Sequence, residues 1–194
     1  MTEKEKMLNG KPYFPFGEEL ARERINAKEL VFNFNNLRPN ESAKRSIIVK
    51  KLFGKVESTF TIEAPFHCDY GYNISIGENF YCNYNCTILD CARVTIGNNV
   101  FFAPNVSIFT AGHPVYHELR NTNIEYALPI TIGDNVWIGG NVVINPGVTI
   151  GENTVIGSGS VVTKSIPANV VAAGNPCKVI REITEKDKNC YVKE

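Results

Sequence analysis

Residues 132–162 run Ile-Gly-Asp-Asn-Val-Trp, Ile-Gly-Gly-Asn-Val-Val, Ile-Asn-Pro-Gly-Val-Thr, Ile-Gly-Glu-Asn-Thr-Val, Ile-Gly-Ser-Gly-Ser-Val and Val. Stepping by six from Ile132 meets Ile138, Ile144, Ile150, Ile156 and Val162, a branched aliphatic every time. The next residue is Gly133, Gly139, Asn145, Gly151, Gly157 or Thr163. The fifth position holds Val136, Val142, Val148, Thr154, Ser160 and Ile166, all small or β-branched. An earlier run, Ile76, Cys82 and Ile88, keeps the rule, then slips by two residues to Ile96 and Phe102. Against a background of 43 % apolar residues, that unbroken series has odds of roughly one in ten thousand.

A period of six is neither helical nor a plain strand alternation. It fits a short β segment followed by a tight corner, where glycine or asparagine adopts a backbone conformation that other residues resist. The recurring Gly-x-Asn at 77–79, 97–99, 133–135, 139–141 and 151–153 supplies that corner. Three such segments close a triangular coil of roughly 18 residues. Ile132 should then stack on Ile150, Ile138 on Ile156 and Ile144 on Val162, with paired strands about 4.8 Å apart. First and fifth positions fill the interior, which makes Cys82 and Cys86 core thiols. Sandwich strands would space their turns more widely and less evenly.

The chain of 194 residues is one domain's length with room for a small appendage. Charged residues are 21 %, with 20 Lys+Arg against 20 Asp+Glu. That balance argues against a nucleic-acid or membrane-surface partner, either of which calls for a basic face. No stretch reaches the ~18 apolar residues of a membrane helix, and the first residues carry no leader pattern. The six cysteines, at 68, 82, 86, 91, 177 and 190, include no Cys-x-x-Cys pair. They read as reduced thiols of a cytoplasmic protein.

Residues 1–58 lack the period and form an expected helical cap. Leu20, Ala27, Leu30, Val31 and Phe34 fall on helical spacing between Glu18 and Asn35. Asn40 is the expected N-cap of a second helix through Ile47, Ile48 and Leu52, ending at Gly54. Such a pair would cover the first coil, whose strands are otherwise open edges. The repeat domain is read as 59–183, and 184–194 as a charged tail. The hexads stop at residues 109–131, an excursion long enough to expect function there. It contains Gly112-His113-Pro114, His117 and Arg120.

Three segments add a resemblance to the period: Thr-Ala-Gly-His-Pro-Val (110–115), Asp-Asn-Val-Trp-Ile-Gly-Gly (134–140) and Val-Val-Ala-Ala-Gly-Asn-Pro-Cys-Lys-Val-Ile-Arg (170–181). From about Lys6 to Lys188 the chain resembles the maltose and galactoside O-acetyltransferases, members of the hexapeptide-repeat acyltransferases. The resemblance implies an all-β solenoid, a left-handed parallel β-helix with an N-terminal α-helical cap. It also implies a homotrimer and acetyl transfer from acetyl-CoA to a sugar hydroxyl. The left hand comes from the resemblance alone, because ordinary parallel crossovers are right-handed.

Moving an acetyl group from a thioester to an alcohol requires deprotonating the alcohol, stabilising an oxyanion and holding two substrates together. An imidazole titrates near neutrality and suits the first task; the family's catalytic histidine falls on His113. His117 is read as structural, and His67 has no assigned role. The family's acceptor-site asparagine falls on Asn83, whose amide can donate to a sugar oxygen or to the tetrahedral intermediate; a structural corner asparagine is the alternative. Asp69 falls where the family contacts the sugar, or else caps the turn at Gly71. For coenzyme A, glycines and small residues including Gly140 and Ser158 offer a thin groove for the pantetheine arm. Thr163, Lys164, Lys178 and Arg181 match the family's coenzyme positions, cations suiting phosphates; the alternative for each base is a solvated face. Trp137, the single tryptophan, either walls that groove or packs. No metal is required.

Two departures bear on the acceptor. Galactoside enzymes carry a second aspartate after Ile-Leu-Asp, whereas Cys91 follows Asp90 here. The N-terminal acid that some members direct at the sugar is also missing around Pro15, Phe16 and Gly17. Three rivals stand beside sugar O-acetylation. One keeps the chemistry but takes an amine acceptor, such as an amino sugar or antibiotic. Another is a β-helix used only as a scaffold. The third is a zinc hydratase on the same scaffold, for which His113, His117 and His67 would have to be the ligands.

Overall fold

The computed structural model describes residues 1–189. It is a parallel β-solenoid of about six turns with an N-terminal helical region. Cys190 and the rest of the expected tail to residue 194 lie outside the described residues.

The solenoid has three faces. The first stacks the strands Lys55–Val56, Ile74–Ile76, Val94–Ile96, Ile130–Ile132 and Thr149–Ile150. The second stacks Phe60–Ile62, Phe80–Cys82, Phe101–Phe102, Trp137–Ile138, Val155–Ile156 and Val170–Ala173, and Lys178–Glu182 closes it in antiparallel sense. The third stacks Phe66–Cys68, Cys86–Leu89, Ser107–Phe109, Val143–Ile144 and Val161–Val162. The first strand begins at Lys55, just ahead of the boundary read from the hexads. Ile132 pairs with Ile150, Ile138 with Ile156 and Ile144 with Val162, as the six-residue period requires. First and fifth positions, including Cys82 and Cys86, are buried. The polar fifth positions satisfy their hydroxyls inside the prism: Thr154 donates to the Pro167 carbonyl at 2.9 Å and Ser160 to that of Gly157.

The corners correct one expectation. The left-handed residue is the asparagine of each Gly-x-Asn, with φ between 54° and 58° at Asn79, Asn99, Asn135, Asn141 and Asn153. The glycine ahead of it keeps negative φ and is required for space. A Cβ on Gly139 would lie 2.6 Å from the Ser158 nitrogen of the next coil. Asparagine tolerates the left-handed region and bonds locally; here the amides also ladder down one edge, Asn79 to Asn99 to Asn135 to Asn153 to Asn169.

Three helices precede the coils: α1 (Glu3–Leu8), α2 (Glu18–Asn35) and α3 (Ser42–Leu52). Ala27, Val31 and Phe34 of α2 and Val49 and Leu52 of α3 share one continuous core with Ile62, Phe66 and Ile74. The cap therefore extends the solenoid interior past its first open coil. The N-cap of α3 is Glu41 rather than Asn40; its carboxylate takes the Arg38 N–H at 2.9 Å and the Lys44 ammonium at 2.5 Å. Gly54 does not stop α3 through a left-handed turn: α3 ends at Leu52 with Phe53 as its extended C-cap, and a Cβ on Gly54 would sit 2.1 Å from the Tyr72 carbonyl.

Two edges of the prism stay tight, whereas the edge from the third face to the first carries the insertions. Residues 69–73, 90–93 and 110–129 all leave from it. The last is the excursion, a small hairpin of Ala111–Gly112 against Tyr126–Ala127 with one helical turn, α4 (His117–Arg120), at its tip. A second core of Met7, Tyr13, Leu20, Tyr70, Cys91, Ala92 and Ala127 fixes these insertions to the cap.

Candidate active site

His113 stands exposed on the excursion just past the Ala111–Gly112 strand. Its Nδ1 lies 3.3 Å from the Ile124 carbonyl. A carbonyl can only accept, so Nδ1 carries a proton, and in the neutral imidazole Nε2 presents a lone pair. Nε2 lies 3.8 Å from Glu125 Oε1. The other oxygen of Glu125 is held by the Tyr13 hydroxyl at 2.5 Å. Tyr13 and Glu125 also exchange two backbone hydrogen bonds at 3.0 Å. The N-terminal segment thereby pins the excursion beside the imidazole. Burial, with Cys91 and Glu125 close by, drives the Tyr13 phenol far above its ordinary value, so it stays a donor.

Asp69 sits on the same edge, half-buried. Its Oδ2 accepts the Cys91 thiol at 3.4 Å, and burial pushes its carboxyl up. The same burial raises the Cys91 thiol, with Asp69 as the next cause. The turn at Gly71 is capped by Asp90 rather than Asp69. Asp90, fully buried, accepts the N–H groups of Asp69 at 3.1 Å and Tyr70 at 2.9 Å on Oδ1, and of Asn73 at 3.3 Å on Oδ2. Burial pushes its carboxyl up to about 7, although the backbone donors pull the other way. Arg24 braces the same loop, donating to the Tyr70 hydroxyl and the Pro15 carbonyl, each at 2.7 Å.

Asn83 lies on a different edge, from the second face to the third. Its Oδ1 takes the Tyr84 N–H at 2.8 Å, which leaves the NH2 as the donor for a ligand. The groove around it, about 470 Å³, is lined by Tyr81, Phe101, Phe102, Ala103 and Trp137. Trp137 is half exposed and walls this groove instead of packing in the core. Backbone bonds continue the column downward, Asn83 to Phe102 and Ala103 to Ile138, until Gly139 donates to Ile156. Gly140 donates to the Ser158 hydroxyl at 3.1 Å, so these two sequence-predicted residues meet. Around Gly159 a Cβ would touch nothing within 4 Å, so the column opens to solvent.

Thr163 and Lys164 are exposed on the third-to-first edge below the excursion. Lys178 and Arg181 are exposed on the closing strand of the second face, where Arg181 makes a two-point ion pair with Asp187 at 2.7 and 2.9 Å. A single chain thus gathers His113 with Asp69 and Asn83 with Gly140 and Ser158, but sets the groups on separate edges. His117 opens α4 in the exposed tip, and His67 faces outward on the third face. Among the described residues no three His, Cys, Asp or Glu side chains are placed to hold a metal ion. No described helix is long and apolar enough to cross a membrane. Sequence reasoning missed Tyr13, Glu125 and the capping role of Asp90; only Glu125, inside the excursion, carried any signal.

The pattern of the maltose acetyltransferase hexapeptide capping motif matches residues 6–57, and that of the bacterial transferase hexapeptide (six repeats) matches residues 129–164. The chain is 52 % identical to the galactoside O-acetyltransferase of Escherichia coli K12 over 190 residues, 98 % of this chain and 94 % of that protein. The crystal structure of a maltose O-acetyltransferase from Clostridium difficile 630 superposes with a TM-score of 0.94 at 56 % identity, covering 95 % of this chain and 99 % of that one. A galactoside acetyltransferase in complex with coenzyme A superposes with a TM-score of 0.96 at 52 % identity, covering 100 % and 97 %.

Proposed function

The chain belongs to the maltose and galactoside O-acetyltransferases, hexapeptide-repeat transferases with a left-handed parallel β-helix, and we propose that His113 is the general base of its acetyl transfer from acetyl-CoA to a sugar hydroxyl. The observation that carries this reading is the imidazole's orientation. The Ile124 carbonyl occupies Nδ1 and leaves Nε2 of the neutral ring as an acceptor beside the Glu125 carboxylate. Nε2 takes the proton as the sugar oxygen attacks the thioester carbonyl carbon. When the tetrahedral intermediate collapses, the C–S bond breaks and the same proton passes to the departing sulfur. No covalent enzyme intermediate is needed, since the hydroxyl attacks the thioester directly, and burial drives the Cys91 thiol upward, away from the thiolate.

Asn83 supplies an amide donor to the acceptor or the oxyanion, and Asp69 accepts from a sugar hydroxyl. Coenzyme A as co-substrate suits the small-residue column of Gly140 and Ser158, where side chains would obstruct a thin arm. Thr163, Lys164, Lys178 and Arg181 are its polar and cationic ligands, Arg181 exchanging Asp187 for phosphate.

Because His113 and Asn83 stand on separate edges, one chain holds half a site. A homotrimer that sets the third-to-first edge of one copy against the second-to-third edge of the next completes it. Exposed apolar groups support that arrangement: Val115, 94 % exposed, with Tyr116 and Leu119 on the excursion tip, and Phe101 and Trp137 on the second face. The setting proposed is the cytoplasm, without nucleic-acid or membrane partners.

His113→Ala tests the base. Turnover with maltose should fall roughly 10²–10⁴-fold with little change in acetyl-CoA binding by calorimetry, and the acid limb of the pH–rate profile should vanish. His117→Ala should keep most activity. A His113→Ala enzyme of near wild-type turnover refutes the assignment.

A further inference from the structure

Nε2 of His113 and Oε1 of Glu125 face each other across 3.8 Å, and with the imidazole neutral and its proton on Nδ1 both are proton acceptors. The tautomer is set by the Ile124 carbonyl, and Oε2 of Glu125 is already engaged by Tyr13. The hydroxyl of the fully buried Tyr13 holds the carboxylate in place, and the two backbone bonds between Tyr13 and Glu125 fix the strand that carries it. Two acceptors fixed at that separation ask for a ligand that brings two protons. One hydroxyl has a single proton and can satisfy only one of them. Two neighbouring hydroxyls satisfy both, one on each acceptor.

We propose that Glu125 is an acceptor-binding residue, its Oε1 receiving the hydroxyl next to the one that His113 deprotonates. This rests on the acetyl-transfer reading above and narrows it: the preferred acceptor is a polyol with adjacent hydroxyls, not a simple alcohol. The bond to the carboxylate is charge-assisted, and the Tyr13 hydroxyl holds the remaining oxygen so that only one is offered. Reaction at one hydroxyl leaves its neighbour bound, so the attacking oxygen is oriented toward Nε2 before transfer.

The experiment compares acetyl-CoA-dependent CoA release for methyl glucoside and its four monodeoxy analogues in wild type, Glu125→Ala and Glu125→Gln, with circular dichroism melts to check folding. In wild type, one deoxy analogue that still carries the reacting hydroxyl should lose roughly tenfold to a hundredfold in kcat/KM. In Glu125→Ala that penalty should shrink to within about threefold, because the acceptor for the missing hydroxyl is gone. In Glu125→Gln the shape and the Tyr13 bond persist, but the amide NH2 donates into Nε2. Its kcat should therefore fall with every analogue. A deoxy penalty as large in Glu125→Ala as in wild type overturns the proposal. So does a uniform loss of kcat in Glu125→Ala, which would mean that the carboxylate only orients the imidazole. Transfer by wild type to glucosamine but to no glucoside would overturn the functional reading itself, a distinguishable result.

Discussion

Asp90→Ala removes one buried carboxylate and leaves three backbone N–H groups, those of Asp69, Tyr70 and Asn73, without their acceptor. A buried donor stripped of its partner costs about 1–3 kcal/mol. The weakest of the three, at 3.3 Å, belongs at the low end, so a loss of about 3–7 kcal/mol is expected. Domains are stable by about 5–15 kcal/mol, so the variant should unfold at much lower denaturant, read as the urea midpoint by circular dichroism. Asp90→Asn should cost less, because its Oδ1 can still take two N–H groups while its NH2 opposes that of Asn73. The two variants also differ from wild type in pH dependence. The Asp90 carboxyl is pushed up to about 7 from an unfolded value near 3.9. A raised carboxyl contributes stability that is fully present below the unfolded value and is lost as pH rises through the folded one. Wild type should therefore weaken between about pH 4 and pH 7 by at most about 4 kcal/mol from this group. Asp90→Asn should lose that component. Equal urea midpoints for Asp90→Ala and wild type at pH 7 would refute the capping argument. An unchanged pH slope in Asp90→Asn would refute the titration argument.

Gly139→Val should lower the melting temperature by several degrees, since its Cβ would press on the Ser158 nitrogen at 2.6 Å and the Ile156 carbonyl at 2.8 Å. Gly159→Ala, at φ +73° with nothing within 4 Å, should cost only about 1–2 kcal/mol for its conformation; a larger loss there than at Gly139 would reverse the space argument. Light scattering at micromolar concentration should give three times the mass of one chain. A stable monomer with full activity would mean that the site is complete within one copy.

The interior was legible because it repeats. Ile132, Ile138 and Ile144 announce their partners eighteen residues on through burial alone, and burial is what a hydrophobic period records. The corners were half legible. Both residues of Gly-x-Asn stood out, but composition does not tell which one turns left and which one makes room; only the distance to the next coil separates them. The excursion stood out as a gap in the period, and His113 within it through its resemblance. Its supports did not. Tyr13 reaches Glu125 across 112 residues, and nothing local to either residue marks a pairing set by the whole cap folding back. Asp90 stood in the sequence only as the residue ahead of Cys91, and its role depends on three N–H groups that the loop at residues 69–73 aims inward.

That division follows from how a solenoid is built. A coil that pairs with the coil above and below has no freedom at its strands, where an inserted residue would break two ladders at once. Insertions survive only at edges, and in this chain residues 69–73, 90–93 and 110–129 accumulate on one of the three. Stacked insertions pack on each other, and the second core of Tyr13, Tyr70, Cys91 and Ala127 is the result. Asp69, Glu125 and His113 are its polar rim. The proposed base and its neighbouring carboxylates collect where the repeat fails, on the one edge where side chains answer to neighbours other than the next coil.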